Sequence, residues 1–134
     1  MPNARKTAKA AQLTIQTRLD HLYSEAQRWC IVWGCSRLIR DVNIDFSEDS
    51  NAALGTLNLR TMKIVLNGIL LLEQNTPLLH ETLCHELAHA AAAIRFGTGI
   101  EDHGVEWCEY MGKAGVRPRA VIAAEEIVGL LRLN

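Results

Sequence analysis

The 134-residue sequence has no surplus of either charge, no Cys-x-x-Cys pair, and no linker rich in proline, glycine or serine. Each absence removes a class of function. Fourteen basic against fifteen acidic residues give a net charge of −1. Overall electrostatics therefore make no case for a nucleic-acid or membrane-surface binder. In the first half, the longest apolar stretch is Cys30-Ile31-Val32-Trp33, far short of the ~20 residues a membrane helix needs. The charged start Met-Pro-Asn-Ala-Arg-Lys leads into no apolar segment of the secretory type. Cysteines at 30, 35, 84 and 108 form neither a zinc ribbon nor a thioredoxin-type redox motif. They read as buried thiols of a cytoplasmic protein. Internal repeats and low-complexity tracts are also missing.

What is present is globular: 49% hydrophobic and 22% charged residues, on a length that suits one domain, 1–134, around one core. Periodicity divides it. Ala8, Ala11, Ile15, Leu19, Leu22, Ala26, Trp29 and Trp33 recur in steps of three and four, which predicts a long amphipathic helix closed by Gly34. Its two tryptophans read as core residues. Val42, Ile44 and Phe46 then alternate with polar residues, a strand. Two further strands, Ala53 to Leu59 and Met62 to Leu66, form an expected hairpin across Arg60-Thr61. Thr76-Pro77 opens a helix with a hydroxyl cap and a proline in the first turn. Leu79, Leu83, Leu87, Ala90, Ala91 and Ile94 form its buried stripe, and Gly97 stops it. A shorter helix is expected from Gly104 to Lys113 and a last one from Pro118 to Leu133. The fold class is α+β.

One constellation carries chemistry. His85-Glu86-Leu87-Ala88-His89 is an H-E-x-x-H run inside the predicted helix. Residues four apart share a helical face, so both imidazoles can reach one cation. Glu86, one step from His85, can act on a metal-bound water without itself being a ligand. Zinc suits two imidazoles and a third protein ligand, with a fourth position left for water. The ion lowers the pKa of that water from 15.7 to about 7. Glu86 would take the proton and pass it to the leaving nitrogen. A chance match arises roughly once in a hundred such chains. Stray surface histidines do not fit the apolar neighbours Leu83, Leu87, Ala90 and Ala91, because burying imidazoles and a carboxylate without partners costs several kcal/mol.

The third ligand must come from downstream. A metzincin places Gly three and His six residues after the motif; here Ala92 and Arg95 occupy those positions. His103 follows the Gly97–Gly99 turn and is the favoured ligand. Glu109, and after it Glu106, are the rivals.

Here a resemblance appears. His85-Glu86-Leu87-Ala88-His89-Ala90 followed by His103-Gly104-Val105-Glu106-Trp107 resembles the SprT-like metalloprotease domain, the family of bacterial SprT and the Spartan DNA–protein-crosslink proteases. Leu54-Gly55-Thr56 and Ile64-Val65-Leu66-Asn67 resemble the strand pair ahead of its active-site helix. The similarity covers roughly Val42 to Lys113. It implies a zincin-like fold, with Zn²⁺ held by His85, His89 and His103 and Glu86 as catalytic acid and base. Many relatives add a C-terminal zinc ribbon that engages DNA; no such cysteine set stands in these 134 residues.

Other residues receive lesser roles. His80 lies off the metal face. Tyr110 is a core tyrosine in one reading and a hydrogen-bond donor to the transition state in another. Glu101 or Asp102 could hold a ligand imidazole's second N–H. His21 reads as inert. The basic groups Arg5-Lys6-Lys9, Arg37-Arg40, Arg60-Lys63 and Arg117-Arg119 read as solvated surface.

The expectation is a zinc metalloprotease acting on a protein or peptide, with substrate running as an added strand beside a sheet edge between Ala53 and Leu66. DNA is a weakly supported partner and a membrane is none. The rival reading is a non-catalytic, metal-stabilised adaptor module, DNA-associated, whose fourth coordination position is closed by Cys84 or Glu109.

Overall fold

The computed structural model describes residues 4–129, with side chains from Thr14 onward. Helix α1 spans Ala4–Val32, and Gly34 ends it at φ +72°. The N–H of Cys35 returns to the carbonyl of Cys30 at 2.9 Å, a closure that needs the left-handed residue between them. Leu22, Ala26, Trp29 and Trp33 are buried as the stripe predicts. Ala8 and Ala11 lie outside the described side chains. A single turn, α2 (Leu38–Asp41), leads into the sheet.

Strands β1 (Asn43–Ser47), β2 (Gly55–Asn58) and β3 (Lys63–Asn67) make one sheet in the order β1-β3-β2. The hairpin is present, β2 against β3 antiparallel. Its turn is held by Asn58 Oδ1, which accepts from the N–H groups of Arg60 and Thr61 at 3.0 and 3.2 Å. The chain then runs β3 between its two partners, parallel to β1 with Ile44 beside Ile64, so β2 is an edge strand.

Helix α3 (Thr76–Phe96) packs between this sheet and α1, with α4 (Val105–Lys113) against it. Burial on several sides explains its apolar character around most of its circumference. Two expectations need correction here. The helix is not capped by the Thr76 hydroxyl: the N-cap is Asn75, without a side-chain cap bond, and Thr76 Oγ1 donates instead to the Glu73 carbonyl at 2.7 Å. Ile94 is not in the buried stripe; it is 61% exposed, because the final turn runs out into solvent.

The larger correction is the expected last helix. From Pro118 to Gly129 the only helical piece is a 3₁₀ turn, Ala124–Glu126; Leu130 to Leu133 lie outside the described residues. Pro118 disfavours helix at Arg117. The segment instead ties its polar groups to α3: Arg119 pairs with Glu81 at 2.7 Å, and Asn75 exchanges two hydrogen bonds with Val128, at 3.0 and 2.9 Å. Ile127 fills the core.

All four cysteines are free thiols. No helix among the described residues is long and apolar enough to cross a membrane.

Candidate metal centre

Two turns of α3 and the approach to α4 build the site. His85 and His89 share one face of α3. His103, in the turn before α4, comes back onto them. The three Nε2 atoms stand 3.1, 3.2 and 3.1 Å apart. Imidazole nitrogens on a tetrahedral zinc ion at ~2.0–2.1 Å are roughly 3.3 Å apart, so the triangle nearly matches one face of a coordination shell. Among the described residues this is the group of His, Cys, Asp and Glu that could hold a metal ion. Glu106, Glu109 and Cys84 are not in it. Glu109 is exposed and pairs with Lys113 at 3.4 Å, and Cys84 is fully buried, with its thiol pushed up to about 12 by burial.

The electrostatics favour the uncharged form of His85 and His89. Burial, then the neighbouring His89 and His103, lower the His85 pKa to about 4. Burial and His103 lower that of His89, against the Asp102 charge, which raises it. Neutral imidazoles are the form that coordinates. Glu86, only 9% exposed, has its carboxyl pushed up to about 7 by burial, within the range useful for taking and returning a proton near neutrality.

Trp107 supports all three rings. Its indole lies nearly parallel to His89, at 23° and 5.5 Å between centroids. It meets His85 and His103 edge-on at 4.8 and 4.7 Å. The Nε1–H donates to the His85 carbonyl at 3.1 Å. The only sequence signal for this role is the aromatic position in the H-G-x-x-aromatic run. Glu101 and Asp102 make no hydrogen bond to a ligand imidazole among the described contacts. Against the lowering by burial and the two neighbouring imidazoles, the Arg119 backbone acts weakly to raise the His85 pKa.

The remaining candidates fall away from the triangle. Tyr110 is buried, its ring edge-on to Trp33 at 5.4 Å, and its carbonyl accepts from Trp33 Nε1. His80 lies half-buried with His21 at a separate cleft between α1 and α3. Arg117 and Arg119 are committed to Glu81, and Arg5, Lys6 and Lys9 lie outside the described side chains.

A cavity of about 260 Å³ opens beside Glu86 and His89. Leu57 and Leu59 of the hairpin, Ala93 and Ile100 give it apolar walls, and Glu101 and Asp102 stand on it as well.

The family model described as the SprT-like family matches residues 15–125. The chain belongs to the SprT-like family. Curated SprT-like relatives agree. Protein SprT of Shigella dysenteriae serotype 1 is 31% identical over 98 residues, 73% of this chain and 55% of the relative. Protein SprT of Yersinia enterocolitica is 42% identical over 64 residues, 48% of this chain and 36% of the relative. Protein SprT of Serratia proteamaculans is 37% identical over 60 residues, 45% and 35% of the two chains. The chain thus spans about a third to about half of the curated relatives it matches. No solved structure matches it.

Proposed function

We propose that this chain is a zinc-dependent metalloprotease domain of zincin type, with His85, His89 and His103 as the metal ligands and Glu86 as the catalytic acid and base. The observation that carries the reading is the convergence of three imidazole nitrogens within 3.2 Å of one another, next to a buried carboxyl whose pKa burial raises to about 7 at the mouth of a cavity.

A bound zinc ion would polarise the scissile carbonyl and acidify a water molecule. The rest falls to the chain. Edge strand β2 offers unpaired backbone groups to an extended peptide. The Asn67 N–H bonds the Leu54 carbonyl at 2.8 Å; by antiparallel alternation, Gly55 and Leu57 turn their N–H and C=O groups outward. Leu57 and Leu59 would steer a substrate side chain into the cavity. Glu86 then receives the proton of the attacking water and returns it to the departing amine nitrogen.

The rival adaptor reading needs a closed fourth coordination position. The surface position of Glu109 and the separate burial of Cys84 give it no support.

Metal analysis together with digestion of an unfolded protein tests the proposal. The parent should hold about one zinc per chain and cleave. Glu86→Gln should keep the metal and lose cleavage. A Glu86→Gln protein that cleaves as fast as the parent removes the assigned base, and a parent without metal removes the centre.

A further inference from the structure

We propose that the cavity beside the metal centre takes the side chain of a lysine or arginine flanking the scissile bond, with Glu101 and Asp102 as the carboxylates that select its charge. The inference rests on the proteolytic reading above and names the class of peptide to be cut.

Glu86, His89 and Ala93 stand at i, i+3 and i+7 on α3, so one helical face carries the proposed base, a proposed ligand and the cavity floor. Alanines at 92 and 93 leave that floor open, while Leu57 of β2 and Ile100 wall it. The chain leaves α3 through Gly97 at φ +81° and turns back as the lip on which Glu101 and Asp102 stand. A hydrogen bond from the Gly104 N–H to the Glu101 carbonyl, 3.2 Å, ties that lip to the start of α4. At the inner end Glu86 is 9% exposed and has no hydrogen-bond partner among the described residues. The space therefore opens on a buried polar group still lacking a partner.

Charge at the lip is of one sign. Both carboxylates are exposed, and among the described contacts neither carries a side-chain hydrogen bond or an ion pair. No lysine or arginine is among the described residues that line the cavity. Arg95, the nearest basic residue in sequence, lies over the Phe96 ring at 5.1 Å. A guest with an apolar stem and a cationic head suits both parts of this space. Its methylenes cover Leu57, Ala93 and Ile100, and its head reaches the lip. An apolar guest leaves the carboxylates unused, and an acidic one meets like charge. Because the lip is wet, each carboxylate contributes about fivefold at most, and the two together a preference on the order of tenfold.

Matched peptides test this on the zinc-loaded full chain, identical except for lysine, norleucine or glutamate beside the scissile bond. The parent should prefer lysine to norleucine on the order of tenfold in kcat/KM, with glutamate the poorest. The preference should shrink as salt rises. In Glu101→Gln the lysine-to-norleucine ratio should fall about threefold, and Glu101→Lys should favour glutamate over lysine. A ratio cancels any general loss of activity, so damage to the neighbouring His103 turn does not imitate the result. Binding of the uncleaved peptides to zinc-loaded Glu86→Gln, read by calorimetry, needs no turnover and should rank them in the same order. A parent that cleaves all three alike overturns the charge selection and leaves the protease reading standing. A parent that cleaves none removes that reading and this inference with it. A lysine preference unchanged in the double variant Glu101→Gln/Asp102→Asn rejects these two carboxylates as its source.

Discussion

A side chain on Gly55 would place its Cβ 3.2 Å from Cγ of Glu86 and 2.7 Å from Cγ2 of Thr82. The first residue of β2 and the carboxylate-bearing turn of α3 thus meet at a distance only glycine permits. Thr82 cannot retreat easily, because its hydroxyl is bonded to the Leu78 carbonyl at 2.7 Å. Gly55→Ala should therefore separate strand from helix, lowering stability by about 1–3 kcal/mol and displacing the proposed base. Denaturation midpoints and cleavage rates read the two effects. Adding Thr82→Ser, which removes Cγ2 but keeps a hydroxyl, should restore most of both. No recovery in the double variant would place the damage elsewhere.

The buried Glu86 carboxyl sets a pH dependence for the metal-free protein. Its folded pKa is raised from 4.5 to about 7, so the folded state holds a proton that the unfolded chain releases. The contribution is intact below pH 4.5 and is lost as the pH rises through 7. Replacing the carboxyl by an amide removes the loss. Chelator-treated Glu86→Gln should match the parent near pH 4 and exceed it by about 3 kcal/mol at pH 8. His85, lowered to about 4, and His89, also lowered, act in the opposite sense, costing stability as the pH falls below 6.5. Both proteins share that cost, so it cancels in the difference. A gap that does not widen between pH 4.5 and 8 would show that Glu86 is not desolvated.

How much of this could be read beforehand follows from the range of each interaction. The helical spacing of His85 and His89 is local, and the return of His103 needs only a short reversal; both were legible. So was the β2–β3 hairpin. The parallel pairing of β1 with β3 was not, because strand β2 lies between them in the chain and nothing in Val42 to Phe46 names its partner. The tail misled for a related reason. Its alanines and branched residues read as a helix, but Arg119 and Ile127 are claimed by Glu81 and the core, partners far away in sequence. Gly55 stood in a recognisable run, yet its reason, the closeness of Thr82 and Glu86, exists only once α3 is packed on the sheet.

Trp107 offers a way to weaken the centre without touching a proposed ligand. Trp107→Phe keeps a ring beneath the imidazoles but drops the bond from Nε1 to the His85 carbonyl, which should cost about 1 kcal/mol of stability. Trp107→Ala empties a fully buried site and should cost about 3–5 kcal/mol. It should also weaken zinc binding more than the phenylalanine variant, since His89 loses its stacking surface. Equal zinc affinity in all three proteins would mean that the rings hold their geometry without the indole.

The cavity beside Glu86 gives a test of where the substrate lies. Ala93 is half-buried on its wall, so a larger side chain there can occupy the opening without entering the core beneath. Ala93→Phe should leave the three imidazoles and the zinc content unchanged. Cleavage of a peptide with a bulky residue at the scissile bond should fall on the order of tenfold, whereas one with glycine in that place should lose less. This contrast separates a blocked side-chain pocket from a damaged centre, which would slow both peptides alike. Were the two slowed to the same degree, or neither, the route of the substrate over Leu57 and Leu59 would have to be redrawn.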